Sequence, residues 1–418
     1  MSVEVVTFGC RLNITESEAV RREAEAAGLV DAVIVNTCAV TAEAVRQARQ
    51  TIRRSHRERP EAPIVATGCA AQTNPATFAD MPEVAAVVGN DRKISPNLWR
   101  ELNRDLRAGG DSSRQGPARS YVGDIMAVAD MVPPRLDRIA GHTRGFVQIQ
   151  NGCDHRCTFC IIPFGRGNSR SLSVDDVIAQ VRLLVETGHR EIVLTGVDIT
   201  SYRPSLGGLV KRILKDVPSL ERLRLSSIDS VEADADLLDA FASDARLMPH
   251  LHLSLQHGDD LILKRMKRRH SRADAIAFCA EVRRLRPDVV FGGDIIAGFP
   301  TETEDMFARS LDLVGECGLT HLHVFPFSPR PGTPAARMPQ VQGDVVKDRA
   351  ARLRAKGAEA LARHLQNEIG STRRVLTERG GIGRTEQFTA VRLNAPVEPG
   401  VMLDVGIAAH DGRQLIAA

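Results

Sequence analysis

Along residues 3–90, short apolar runs alternate with longer segments whose apolar residues recur at helical spacing. The runs predict strands over 4–10, 32–38 and 63–69. The segments between them predict helices over 16–27 and 42–57, with Thr15 and Thr41 as caps and Gly28 as a stop. Strand and helix in strict alternation imply a parallel sheet. The carboxyl ends of such strands lie along one edge, where ligands bind. Each of the three strands ends in a cysteine, so Cys10, Cys38 and Cys69 are expected to converge there.

From about residue 143 to 365 the alternation resumes, with strands predicted over 145–150, 191–197, 222–226, 250–256, 289–296 and 320–325. Six such units predict an incomplete parallel β/α barrel, whose working edge is again the carboxyl ends of the strands. Residues 340–374 read as helix, with eight Lys or Arg against four Asp or Glu. Residues 375–418 are Gly-rich and strand-like, which suits a small β-barrel. The expected fold is therefore α/β throughout the first two parts: a parallel α/β domain (1–106), a linker rich in Gly, Ser, Arg and Pro (107–141), a partial (β/α)6 barrel (142–370) and a small β domain (371–418).

A chain of 418 residues with 43% hydrophobic content can build several cores. No run reaches the roughly twenty apolar residues of a membrane span. The net charge of +3 neither demands nor excludes a nucleic-acid partner, so the clustering of cations matters more. Eight Cys is sparse for a disulfide framework, and the sequence opens without an apolar leader. A reducing, cytoplasmic compartment is expected.

The most specific local signal is Cys153-Asp154-His155-Arg156-Cys157-Thr158-Phe159-Cys160. Thiolates at this spacing can hold three irons of a cubane cluster, leaving the fourth iron for a non-protein ligand. A zinc site would also accept such cysteines with His155, but no fourth partner stands at short spacing. For Cys10, Cys38 and Cys69 the alternative to a second metal site is ordinary burial of small thiols. Cys279 and Cys317 lie in apolar helical settings and read as packing residues. Arg166 and Arg170, just after the trio, are suited to a bidentate grip on a carboxylate or phosphate, or to balancing acidic neighbours. Two basic stretches, Arg46, Arg49, Arg53 and Arg54 on the second helix and Lys264, Arg265, Lys267, Arg268 and Arg269, are candidates for phosphate contact or plain solvated faces.

The stretch 151–163 resembles the signature of the radical S-adenosylmethionine family, and the segments 9–13, 35–41 and 67–72 resemble the cluster motifs of its methylthiotransferases. The resemblance runs in order over nearly the whole chain, ending in a tail like the RNA-binding module called TRAM. Its nearest match to that module is 383–388. The resemblance implies two 4Fe-4S clusters, one on Cys153, Cys157 and Cys160 and an auxiliary one on Cys10, Cys38 and Cys69. It also implies S-adenosylmethionine bound near Phe159, Thr195, Gly196, Val197, Asp294, Ile296 and Gly298. The wording of 157–171 and 263–270 is most similar to the branch that acts on N6-threonylcarbamoyladenosine beside the anticodon of tRNA. That branch adds a methylthio group to C2 through a deoxyadenosyl radical. The relatives that act on isopentenyladenosine or on a ribosomal-protein aspartate stay open, as does a non-catalytic iron-sulfur protein that binds tRNA. The partners implied are a tRNA anticodon stem-loop, an electron donor such as flavodoxin or ferredoxin, and a sulfur supply, with no membrane.

Overall fold

The computed structural model of the protein describes residues 3–108, 118–134 and 136–418, and these divide into two compact units. One comprises Met1–Leu136, Gln150–Leu172 and Ser328–Thr333; the other comprises Asp137–Ile149, Ser173–Phe327 and Pro334–Ala418. Both cysteine trios therefore belong to the first unit, although the sequence assigns them to separate domains.

In the first unit the strands Glu4–Thr7, Val33–Thr37, Ile64–Gly68, Ala86–Val88 and Arg119–Tyr121 form one parallel sheet in chain order. Successive strand residues face opposite sides, and here both sides are covered. Val33, Val35, Ile64 and Ala66 pack with Ala48 and Ile52 of the helix Ala42–Glu58. Ile34, Val65, Ala86 and Val88 pack with Val20 and Ala24 of the helix Arg11–Ala26 and with Trp99. Burial on both faces explains why these strands read as unbroken apolar runs. The last strand falls inside the expected linker, of which residues 109–117 and 135 lie outside the described residues.

Two boundary expectations need correction. The first helix begins at Arg11 rather than 16, with Cys10 in the capping position. Thr15 lies within it, its hydroxyl donating to the Arg11 carbonyl at 3.2 Å, a back-bond inside the helix rather than a cap. Thr41 does cap the second helix, accepting from the Ala44 N–H at 3.1 Å.

The second unit holds six parallel strands, Gly145–Gln148, Glu191–Thr195, Arg222–Leu225, His250–Gln256, Val290–Ala297 and Leu319–Pro326. Two three-stranded sheets are joined by the parallel bridges Leu223↔Leu247 and Ile228↔Leu253, giving the open barrel expected. The helix Gly343–Glu368 stops short of 374, because Gly370 turns the chain with φ +84° into the strand Thr372–Glu378. Five strands then close a small barrel around Val375, Val391, Ile407 and Leu415. No described helix is long and apolar enough to cross a membrane.

Candidate functional site

Each N-terminal cysteine sits just beyond a strand. Cys10 caps the helix Arg11–Ala26, Cys38 follows Val33–Thr37, and Cys69 opens the short helix Cys69–Thr73 directly after Ile64–Gly68. The three strands are neighbours in register, so the thiols gather at one edge as the alternation predicts. The approach is tight. A Cβ on Gly9 (φ +100°) would lie 3.1 Å from Cys38 Sγ, and one on Gly68 (φ +96°) would lie 2.4 Å from the Thr37 carbonyl oxygen. Beneath them, Asn13 Nδ2 donates to the Phe8 carbonyl at 2.6 Å and to that of Thr37 at 3.2 Å. Asn36 Nδ2 donates to the Asn13 carbonyl at 3.1 Å.

The donor chemistry fits a cluster. All three sulfurs are free thiols, graded from exposed Cys10 to buried Cys69. Burial first, and then the neighbouring Cys69, pushes the Cys38 thiol up to about 11. The Cys38 thiol therefore resists ionisation on its own, whereas coordinated cationic iron would favour its thiolate form.

The second trio lies on a loop closed by antiparallel pairing of Gln150–Asn151 with Arg170–Ser171. The Cys153 N–H donates to the Gly167 carbonyl at 3.1 Å, and the Cys160 N–H to that of Cys157 at 3.0 Å. Gly152 (φ +74°) is required, since a Cβ there would lie 1.9 Å from the Asn168 carbonyl oxygen. Asp154 Oδ1 accepts from the Ser169 N–H at 2.9 Å, and Arg156 donates to the Cys153 carbonyl at 2.8 Å. The backbone is thus held while Cys153, Cys157, Cys160 and the intervening Phe159 stay partly accessible. That combination fits a cluster with one open iron.

The two trios are tied together by groups that the sequence does not reveal. Arg166, 2% exposed, donates to both carboxylate oxygens of Glu16 at 2.8 and 2.9 Å and to Asn13 Oδ1 at 2.5 Å. Lys93 Nζ reaches the same carboxylate at 2.6 Å. Burial works to raise the Glu16 pKa, but Arg166 and Lys93 outweigh it and hold the carboxyl down at about 2. Of the two roles open to Arg166, gripping a ligand anion or balancing an acidic neighbour, the structure shows the second, with Glu16 of its own chain as the anion. Arg170 is likewise spent on the backbone carbonyls of Arg166 and Val128. Asn90 Nδ2 completes the link, 3.6 Å from Cys69 Sγ and 2.6 Å from the Gly165 carbonyl oxygen. Asn13 stands in one of the quoted motifs, and Glu16 follows it by nearly one helical turn. That spacing was the only local hint.

In the second unit, Thr195 ends its strand buried, with its carbonyl accepting from the Ile149 N–H at 2.9 Å, and Gly196 and Val197 follow partly exposed. Ile296 is buried on Val290–Ala297. Gly298 (φ +74°) sits where a Cβ would come 2.5 Å from Val346. Asp294 Oδ1 lies 2.8 Å from His252 Nε2 and 3.2 Å from His323 Nδ1, partners the sequence reading did not single out. Burial would raise this carboxyl, yet the two imidazoles bring it down to about 2.

The basic candidates divide by what they touch. Arg46 pairs with Glu43 at 2.5 Å, while Arg53 and Arg54 are exposed and only loosely paired, 3.9 Å from Glu83 and Glu58. Arg49 is half-buried on the same helix. Lys264 and Lys267 are exposed. Arg265 donates to Thr301 Oγ1 at 2.7 Å, Arg268 to Asp229 at 2.7 Å and Arg269 to Glu232, so these three serve the barrel's own loops. The 383–388 segment turns inward as well. Arg224 donates to the Thr385 and Glu386 carbonyls at 2.8 Å, and the Phe388 ring lies 4.8 to 5.2 Å from the guanidinium carbons of Arg384, Arg144 and Arg224.

Residues 147–314 match the model of the radical SAM superfamily, and residues 2–89 match that of the uncharacterized protein family UPF0004. A Rickettsia prowazekii protein named threonylcarbamoyladenosine tRNA methylthiotransferase MtaB is 47% identical over 94% of this chain and 91% of its own length. The Bacillus subtilis protein of the same name is 34% identical over 87% and 82%. A Sorangium cellulosum protein named tRNA-2-methylthio-N(6)-dimethylallyladenosine synthase is 34% identical over 90% and 81%. Among solved structures, the radical S-adenosylmethionine methyltransferase TsrM of Kitasatospora setae shares the fold, with a TM-score of 0.58 over 80% of this chain and 77% of its own at 17% identity.

Proposed function

Because the chain belongs to the radical S-adenosylmethionine methylthiotransferases, we propose that it adds a methylthio group to C2 of N6-threonylcarbamoyladenosine beside the anticodon of tRNA. It is an enzyme of S-adenosylmethionine and 4Fe-4S clusters, and a tRNA is its substrate. The observation that carries the reading is the gathering of two trios of free cysteines in one unit, fastened to each other through Arg166 and Glu16.

In this reading Cys153, Cys157 and Cys160 would hold one cluster, which would supply the electron for reducing S-adenosylmethionine, and Cys10, Cys38 and Cys69 would hold the auxiliary cluster, which would supply sulfur. C2 of adenine carries no acidic hydrogen, which is why a radical route is required. The chain itself positions and shields. Gly68 and Gly152 let backbone approach backbone around the thiols, Gly9 makes room for the Cys38 side chain, and Arg166, Glu16, Lys93 and Asn90 fix the loops that carry them. Phe159, Thr195, Gly196, Val197, Asp294, Ile296 and Gly298 are the residues that would hold S-adenosylmethionine, Asp294 and Ile296 being carried by one strand. Anticodon-loop bases can be splayed out and read singly. Arg53, Arg54, Lys264 and Lys267, exposed and weakly paired, are the cations offered to phosphate. The same proposal includes the domain limits at 106, 141 and 370, an electron donor of the flavodoxin or ferredoxin kind, a sulfur-supplying system and a cytoplasmic setting.

Two variants test it. Cys157→Ala should lose both deoxyadenosine formation and methylthiolated product. Cys38→Ala should keep deoxyadenosine formation and lose the product. Deoxyadenosine formation retained in the first, or product retained in the second, contradicts the assignment.

A further inference from the structure

His252, Asp294 and His323 lie on three adjacent parallel strands, and their register explains why they meet. Asp294 stands directly opposite His323, and His252 stands opposite Gly292, two residues before Asp294 on the same face of its strand. Direct and diagonal neighbours across a sheet are the pairs whose side chains touch. Gly292 leaves the room that this needs, because a Cβ there would lie 2.5 Å from His252 Nδ1. The two imidazole rings sit 4.5 Å apart between centroids.

We propose that His252 Nε2, Asp294 Oδ1 and His323 Nδ1 form a binding site for one divalent transition-metal ion, separate from both cysteine trios. Three observations carry this. The three donor atoms all lie within 4.8 Å of one another, with Asp294 Oδ1 at 2.8 Å from one nitrogen and 3.2 Å from the other. An ion held at about 2.1 Å by nitrogen and carboxylate oxygen places cis ligands about 3.0 Å apart, so the two separations from Asp294 need only small adjustment. The donor set, two imidazoles and one carboxylate, is that of sites which leave coordination positions open for a further ligand. Access exists from one side, since the His323 side chain is 61% exposed while His252 and Asp294 are 10% and 20% exposed.

The chemistry selects ions of the Mn2+, Fe2+ and Zn2+ class. Imidazole nitrogen disfavours Mg2+ and Ca2+, and the absence of sulfur among the three donors separates the site from the thiolate chemistry of the trios. A divalent ion here carries one formal negative charge among its ligands and completes its shell with water or an oxygen donor. The inference goes beyond the methylthiotransferase reading and does not depend on which nucleoside is modified.

The test uses the cluster-loaded enzyme with its clusters in the oxidised, EPR-silent state, passed over chelator and titrated with Mn2+. Bound Mn2+ is read as the loss of the free-ion EPR signal. One Mn2+ per chain is expected, displaced by Zn2+, which stands above Mn2+ in the affinity order. Asp294→Asn and His323→Ala should each weaken binding at least about tenfold, since even outer-shell changes cost that much. His323 is exposed and lies in the second unit, so its variant should fold, and an unchanged far-UV circular dichroism spectrum and urea unfolding curve verify that. Free Mn2+ throughout the titration of the wild-type enzyme would overturn the proposal, as would wild-type affinity in both variants. The readout is binding alone, so an enzyme that proved to modify another nucleoside would leave this result standing.

Discussion

Arg166 and Glu16, 150 residues apart in the chain, meet in a buried bidentate pair whose two N–H···O distances are 2.8 and 2.9 Å. The arginine follows the Cys153–Cys160 loop and the glutamate lies in the helix capped by Cys10, so this one contact fixes the loops of both trios. Planar guanidinium and carboxylate match in two points rather than one, which sets orientation as well as distance.

Glu16→Gln keeps the volume of the side chain but leaves Arg166 and Lys93 buried without a counter-charge. Breaking such a pair costs about 3–5 kcal/mol. Trp99, the single tryptophan, is buried in the same unit and donates its indole N–H to the Lys93 carbonyl at 2.7 Å, so its fluorescence reports this unit directly. Urea unfolding followed by Trp99 should show the loss. A variant as stable as wild type would mean that the pair does not brace the site.

The pH dependence has a defined sign. Glu16 is held at about 2 when folded against an ordinary value of 4.5. A depressed carboxyl contributes stability that is fully present above the unfolded value and lost as pH falls through the folded one. Stability of the first unit should therefore decline between about pH 4.5 and 2, with a shallower slope in Glu16→Gln. Equal slopes in the two proteins would assign the acid sensitivity to other groups.

Two glycine substitutions should separate the clusters. Ala at a left-handed backbone position costs about 1–2 kcal/mol before any clash. Gly152→Ala also drives a Cβ to 1.9 Å from the Asn168 carbonyl oxygen, and should lose the radical cluster together with deoxyadenosine formation. Gly9→Ala crowds Cys38 Sγ at 3.1 Å and should lose the auxiliary cluster alone, with deoxyadenosine formation kept. In each variant, iron per chain should fall by about half. Full iron content in either would show that its loop tolerates the shift.

At the other end of the chain, Arg224 pairs with fully buried Glu191 at 2.7 Å while donating to the carbonyls of the 383–388 segment. Arg224→Met removes the nearer of two cations on a buried carboxylate and should cost up to about 3–5 kcal/mol, less what Arg222, 3.5 Å from the same group, retains. It should also loosen the small barrel, seen as earlier proteolytic cleavage near residues 369–371. Cleavage at the wild-type rate would show that the barrel is held elsewhere.

The strands and their cysteines were legible in the sequence because burial on both faces writes an unbroken apolar run, and each Cys closes one. The Cys153–Cys160 loop was legible for a simpler reason: its spacing is local. Pairings across long separations were not. Nothing periodic joins Glu16 to Arg166, and sheet register alone brings His252 and His323 to Asp294. The run 264–269 looked like an open basic face because sequence shows charges without their partners. Asp229 and Glu232, which take Arg268 and Arg269, come some forty residues earlier. Thr15 was misread as a cap because Cys10, a residue with no usual capping role, occupies that place.

The measurement that tests the central claim most directly is mass spectrometry of nucleosides from total tRNA of cells with and without this gene. The 2-methylthio derivative of N6-threonylcarbamoyladenosine should vanish on deletion and return on complementation with the wild-type chain, but not with Cys157→Ala or Cys38→Ala. Its persistence in the deletion strain, or loss of the isopentenyladenosine derivative in its place, would contradict the account.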